Sequence, residues 1–252
     1  LVGSEMCIRD REWSEWLGVK HSVFVHSGSA ANLVTMAALR QLKGEGEVIV
    51  PTLTWVSDIA SALHAGMKPV FVDINPRTLS MDISQVLDKV NDNTKAVFLT
   101  HVLGYNGLDQ RLLDELAERN IPLIEDCCEA HGATYGERRV GSMGWASNFS
   151  FYYAHHLSTV EGGMVCTNDD ELHEAIRIYR SHGMIREAAE QETKDRYQSK
   201  YPDLNPDFIF AYPAYNVRGT ELNAVIGRNQ LKRCLLYTSP SPRDLSTSRM
   251  PS

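Results

Sequence analysis

The sequence is poor in three things, and each shortage excludes something. Five cysteines among 252 residues, two of them adjacent at Cys127 and Cys128, make neither a disulfide framework nor the paired spacing of a structural zinc site. Free thiols are the default, and no metal centre is expected. No apolar run approaches the roughly 18 to 20 residues that a membrane helix needs. Arg9, Asp10 and Arg11 interrupt the start before a secretory core develops, so a cytoplasmic protein with no membrane partner is expected. Basic residues are in deficit: a formal net charge of -7 leaves no footprint for nucleic acid. A small anionic ligand would need a local positive site. What remains reads as globular, with 43% hydrophobic and 23% charged residues. That is enough for one large domain, or a domain and part of a second.

The two ends differ from the rest. LVGSEMCIRDR at residues 1–11 and CLLYTSPSPRDLSTSRMPS at 234–252 resemble translated sequencing-adapter read-through. They are expected to be foreign to the fold, leaving 12–233 as the domain, truncated at both ends. An amphipathic pattern through Leu222, Val225, Ile226 and Leu231 stops where the Ser/Pro-rich tail begins.

Between the ends, β-rich runs alternate with stretches of helical period. The strands are expected at Ser22–Val25, Glu47–Pro51, Pro69–Asp73, Ala96–Thr100, Pro122–Asp126, Ser147–Phe151 and Met164–Thr167. The helices are expected at Ala30–Leu42, Val56–Ala65, Ser84–Val90, Leu108–Arg119 and Glu171–Arg180. Such alternation predicts a three-layer α/β/α domain around a mixed, mostly parallel sheet. Val48-Ile49-Val50 and Val70-Phe71-Val72 read as central strands covered on both faces. From Ile185 to Asp207 periodicity is lost, which suits an excursion or a lid.

Three stations carry chemistry. Ser27-Gly28-Ser29-Ala30 opens a helix after a strand, where exposed amides and the helix dipole attract an anion and Gly28 lets a phosphate approach the backbone. Alone, it reads equally as an ordinary serine cap. Glu125-Asp126-Cys127-Cys128-Glu129 follows an apolar strand. A carboxylate there can pair with a protonated pyridine nitrogen, or simply form a turn. The third station runs from Phe149 through Tyr152-Tyr153-Ala154-His155-His156 to Glu161-Gly162-Gly163.

This third station resembles the DegT/DnrJ/EryC1/StrS sugar aminotransferase family, whose members typically read F-S-F-H-P-T-K-N-L-x-T-G-E-G-G. The match is gapless, with His155 at the lysine position. It extends through Val50-Pro51-Thr52-Leu53-Thr54-Trp55, Pro69-Val70-Phe71-Val72-Asp73 and Tyr215-Asn216-Val217-Arg218. The resemblance implies a fold-type I, aspartate aminotransferase-like large domain that binds pyridoxal or pyridoxamine 5'-phosphate. It implies that Asp126 faces the pyridine nitrogen and that Glu129 supports the 3-hydroxyl side. Gly28, Ser29, Ala30 and Ser150 would hold the phosphate, and Trp55 would stack on the ring. Asn216 would reach the neighbouring subunit's cofactor, implying a homodimer with shared sites, with Arg218 and His156 near the substrate. Read from the residues alone, Trp55 is better taken as a core aromatic and Asn216 as a turn residue.

Imidazole cannot form the covalent linkage a lysine amine makes with the cofactor aldehyde, but it can act as a base near neutral pH. The paired histidines therefore resemble the family branch that dehydrates nucleotide-linked 4-keto-6-deoxyhexoses at C3, GDP-4-keto-6-deoxymannose among them, in deoxysugar and O-antigen biosynthesis. Glutamate would supply the amino group and His155 would be the base. The competing readings are a true sugar aminotransferase and an inactive binding relative. A related dehydratase carries an iron–sulfur cluster, but no cysteine lies between Arg177 and Arg218. One thiolate at Cys128 cannot replace the usual four ligands, so no cluster is expected.

Overall fold

The computed structural model describes residues 5–237. Residues 1–4 and 238–252, which hold part of the two stretches expected to be foreign, lie outside the described residues.

In chain order the elements begin α1 (Glu5–Leu17), β1 (His21–Val25), α2 (Gly28–Lys43), β2 (Glu47–Pro51), α3 (Val56–His64) and β3 (Lys68–Val72). Next come α4 (Ile83–Lys89), β4 (Thr94–Thr100), α5 (Gln110–Glu118) and β5 (Leu123–Asp126). A two-residue hairpin, β6 (Thr134–Tyr135) and β7 (Arg138–Arg139), precedes β8 (Ala146–Ser150), β9 (Gly163–Thr167), α6 (Asp170–Arg180), α7 (Gln191–Lys200) and α8 (Glu221–Tyr237). Seven strands form one sheet in the order β1-β9-β8-β5-β4-β2-β3. Strand β9 runs antiparallel to both neighbours, and every other pairing is parallel.

Because side chains alternate across a strand, the sheet separates two cores. Ile49, Val97, Leu99 and Leu123 enter one with Trp13, Leu112, Leu116 and Leu231, beneath α1, α4, α5 and α8. Val48, Val50, Ala96, Phe98 and Ile124 enter the other, beneath α2, α3 and α6. Each fully buried aliphatic or aromatic side chain contributes about 1.5–3 kcal/mol relative to leaving it in water. The predicted three-layer architecture is therefore present. Helix starts follow acidic caps: Asp82, Asp109 and Asp169 each accept a backbone N–H of the first turn of α4, α5 and α6. Helix α2 ends at Gly44 with φ +80°, its N–H bonded to the Arg40 carbonyl at 3.1 Å.

Four expectations change. Strand β3 is an edge strand, and Phe71 is 46% exposed. Three apolar residues in a row announce burial on both faces, but a parallel edge strand can read the same way. In α8, only Leu231 of the apolar pattern is buried, while Leu222 is 76% exposed and Val225 43%. Spacing identifies an apolar face without saying which face meets the core. Here Ala224 turns inward, and Arg228 ties α8 to Glu5 and Glu12 of α1. The 185–207 excursion holds the helix α7, with no buried residue, beside its own small core of Ile178, Ile185, Ala188 and Ile209. None of its residues lines the main cavity. Finally, α1 was not expected. Residues 1–11 had been set aside, and Glu12–Leu17 is too short for a helical period to show, yet Trp13 lies against Phe149 and Phe151.

Candidate active site

The parallel strands β3, β2, β4, β5 and β8 leave their C-terminal ends on one side of the sheet, and a cavity of about 700 Å³ opens there. The start of α2 forms one wall. Ser27, in extended backbone geometry, caps it by accepting the Ala30 N–H at 3.1 Å. Gly28 permits a close approach: a Cβ there would stand 2.6 Å from Cβ of Ser150 and 3.0 Å from Sγ of Cys128. The helix N-terminus thus presses directly against the end of β8. Ser150 accepts the Tyr152 N–H at 3.3 Å.

The floor is Asp126, at the end of β5 and only 4% exposed. Its Oδ1 accepts the Cys128 N–H at 2.9 Å, and its Oδ2 accepts from Asn32 Nδ2 at 3.3 Å. Behind it, fully buried Asp58 accepts from Asn32 Nδ2 at 2.7 Å, from the Thr100 hydroxyl at 2.9 Å and from the Thr54 hydroxyl. Asn32 in turn accepts from Asn148 Nδ2 at 2.9 Å. Glu129 accepts the Leu103 N–H at 2.9 Å, pinning the loop after β4 over this end of the cavity.

Trp55 is 70% exposed and lines the cavity. That exposure removes the core-aromatic reading. His155, in the loop between β8 and β9, lines the same cavity. Partial burial pulls its imidazole below the usual histidine value. The carboxylates Glu129 and Asp126 oppose that shift, and His156 adds to it. The ring is therefore mainly neutral at neutral pH, the state a base requires. Behind it, His131 has both ring nitrogens buried without a hydrogen bond, and burial holds its value at about 3. No lysine of the described residues lines the cavity.

Of the residues singled out from sequence, Gly28, Ser29, Trp55, Asp126, Glu129, Ser150 and His155 meet at this one cavity. Ala30, His156, Asn216 and Arg218 do not line it. The Ala30 N–H is engaged by the cap. Asn216 and Arg218 are exposed and joined to each other, Arg218 Nε donating to Asn216 Oδ1 at 3.0 Å. Sequence reading missed Asn32, Thr54, Asp58 and Thr100. A buried polar residue inside an apolar helical period looks the same in sequence as a solvated one.

Likeness to known proteins agrees with this geometry. The profile of the DegT/DnrJ/EryC1/StrS aminotransferase family matches residues 3–238. The chain is 34% identical to a GDP-4-keto-6-deoxy-D-mannose 3-dehydratase of Escherichia coli O55:H7, over 91% of this chain and 60% of that protein. The solved structure of the E. coli GDP-4-keto-6-deoxy-D-mannose-3-dehydratase with bound hydrated PLP superposes with a TM-score of 0.82 at 31% identity, covering 95% of this chain and 62% of that one. An aminotransferase from Psychrobacter cryohalolentis gives a TM-score of 0.80 at 33% identity, covering 94% of this chain and 58% of that one. The chain thus spans about 60% of the length of the curated dehydratases it matches. With a family profile matched along nearly all of the described chain and the fold shared with solved members, the chain belongs to the DegT/DnrJ/EryC1/StrS aminotransferase family.

Proposed function

We propose that this chain supplies the cofactor-binding part of a pyridoxal-phosphate-dependent 3-dehydratase acting on a nucleotide-linked 4-keto-6-deoxyhexose, with GDP-4-keto-6-deoxymannose as the first substrate to try. The observation that carries the reading is His155, neutral and facing the cavity that Asp126 floors, with no lysine among the described lining residues.

The residues fit the cofactor. A phosphate suits the start of α2, where Gly28, Ser29 and the hydroxyl of Ser150 converge. Asp126 is a buried carboxylate suited to a protonated ring nitrogen. Exposed Trp55 offers a face for the ring, and Glu129, which also lines the cavity, would support the 3-hydroxyl side. When bound, the cofactor supplies an electron sink for the charge that develops as a proton leaves. His155 would accept the proton from the C–H bond that breaks, and the electron pair left behind would expel the C3 hydroxyl, which leaves as water on taking up a proton. The partly buried wall around His155 keeps bulk water from levelling its basicity.

Glutamate as amino donor, a homodimer and a cytoplasmic setting complete the proposal. The exposed Asn216–Arg218 pair lies away from its own cavity, which suits a role toward a neighbouring copy. Cys127 and Cys166 are buried in the core, and Cys128 alone of the described cysteines lines the cavity. The proposal includes no iron–sulfur cluster, since the one described cysteine lining the cavity would supply a single thiolate of the usual four.

The aminotransferase reading is favoured by one observation, the fold shared with the Psychrobacter aminotransferase. Product analysis separates the two. With pyridoxal phosphate, glutamate and GDP-4-keto-6-deoxymannose, the protein should release ammonia and a 3-deoxy keto sugar. An amino sugar without ammonia would contradict the dehydratase reading.

A further inference from the structure

Behind Asp126 lies a second carboxyl group that the reaction outlined above does not use. Asp58 sits in the first turn of α3 and is fully buried. Its Oδ2 accepts from the hydroxyls of Thr54 and Thr100, and its Oδ1 accepts from Asn32 Nδ2 at 2.7 Å. The same Asn32 nitrogen reaches Asp126 Oδ2 at 3.3 Å. One amide nitrogen thus bridges the two carboxyl groups, each within hydrogen-bonding distance of it.

Two carboxylates that share one donor in a dry interior repel each other, and a proton retained by the pair relieves that repulsion. Burial first, and then the charge of Asp126, hold Asp58 well above the usual carboxylate range. The titratable groups pressing on this spot are Asp126 and Cys128, both at the end of β5, while His155, which lines the same cavity, acts on Asp126. The nine-residue α3 favours negative charge at its start, but a dipole effect of that size does not offset full burial beside a like charge.

We propose that Asp58 is a positioning residue, whose carboxyl group donates a hydrogen bond to Asp126 and so fixes the orientation in which that carboxylate would meet the ring nitrogen. The Cys128 N–H fixes one oxygen of Asp126, Asp58 and Asn32 fix the other, and a carboxylate still has lone pairs left for a ring N–H. The proposal rests on the cofactor assignment given under Proposed function.

The test uses two variants, Asp58→Asn, which keeps a donor in the same shape, and Asp58→Ala, which removes it. Infrared spectra of the wild-type protein at neutral pH should contain a protonated-carboxyl band that Asp58→Asn lacks. Asp58→Asn should bind pyridoxal phosphate within about threefold of wild type. Asp58→Ala should bind at least tenfold more weakly, about the effect of losing one hydrogen bond to a charged group, and should shift the pH titration of the bound cofactor's absorbance. A merely structural role would lower stability without moving that titration. A band that persists in Asp58→Asn, or two variants with the same affinity, would overturn the proposal. Should Asp58→Ala fail to fold, the band and the titration in Asp58→Asn decide. Wild-type protein that binds no pyridoxal phosphate would defeat the cofactor reading and the positioning role together, whereas the band alone reports where the proton sits.

Discussion

Gly28 and Ser150 stand so close that a single added Cβ on Gly28 would lie 2.6 Å from the Ser150 Cβ. Two ends of different elements, the start of α2 and the end of β8, are thereby held together at the proposed phosphate site. Gly28→Ala must push them apart. The expected cost is about 1–3 kcal/mol of stability from overpacking, with a loss of pyridoxal phosphate affinity of about tenfold or more. Denaturant midpoints and a cofactor titration check both.

Val160 has φ +72°, a left-handed conformation that is strained for a β-branched residue. The loop is clamped there by Asn223 of α8, whose Nδ2 donates to the carbonyls of Thr159 at 2.9 Å and Glu161 at 3.1 Å. Val160→Gly should relieve the strain and stabilise the protein by up to about 1 kcal/mol, part of the gain being offset by the greater freedom of glycine in the unfolded chain. A lower thermal midpoint would contradict this.

Glu125 is fully buried and accepts three backbone N–H groups, from Gly141, Met143 and Gly144, as well as a contact of 3.2 Å from His101 Nε2. His101 Nδ1 accepts the Gly107 N–H at 3.0 Å, which fixes the ring's proton on Nε2. Glu125→Gln turns an N–H₂ toward those donors. Loss of about 3–5 kcal/mol is expected from urea unfolding, because the turn before β8 loses its acceptor.

Two pH effects follow from the histidines. His155 lies below the usual imidazole value, so the acid limb of kcat/KM should fall at a pH below about 6.5. His131, at about 3 in the fold against 6.5 for a free imidazole, binds a proton in the unfolded chain that the folded chain refuses. Stability is therefore present above 6.5 and is lost as the pH falls toward 3. His131→Phe should flatten that part of the stability curve, and an unchanged slope would contradict the assignment.

Most of the sheet was legible because its strands are short apolar runs spaced by amphipathic helices. Strand β2, for example, occupies the predicted Glu47–Pro51. The site was legible where motif residues sit at element ends, as Gly28 and Asp126 do. The parts that were not legible are those where sequence carries no direction. Phe71 gave no sign that β3 lies at an edge, nor Leu222 that the apolar face of α8 turns outward. Asp58 carries no sign of burial in the sequence, because its partners Asn32, Thr54 and Thr100 come from α2, the loop before α3 and β4. Val160 was visible in principle, since the family pattern has glycine at that place.

Borohydride treatment of the cofactor-loaded protein should leave no covalent bond between cofactor and chain, since no lysine among the described residues lines the cavity. Mass spectrometry of the intact protein reads this directly, and a reduced adduct on a lysine would favour the aminotransferase reading.

The most direct measurement is the rate of dehydration by His155→Asn, with pyridoxal phosphate binding checked in the same preparation. A variant that still binds the cofactor and dehydrates about 100-fold or more slowly fits a base at His155. A variant that dehydrates at the full rate would contradict it.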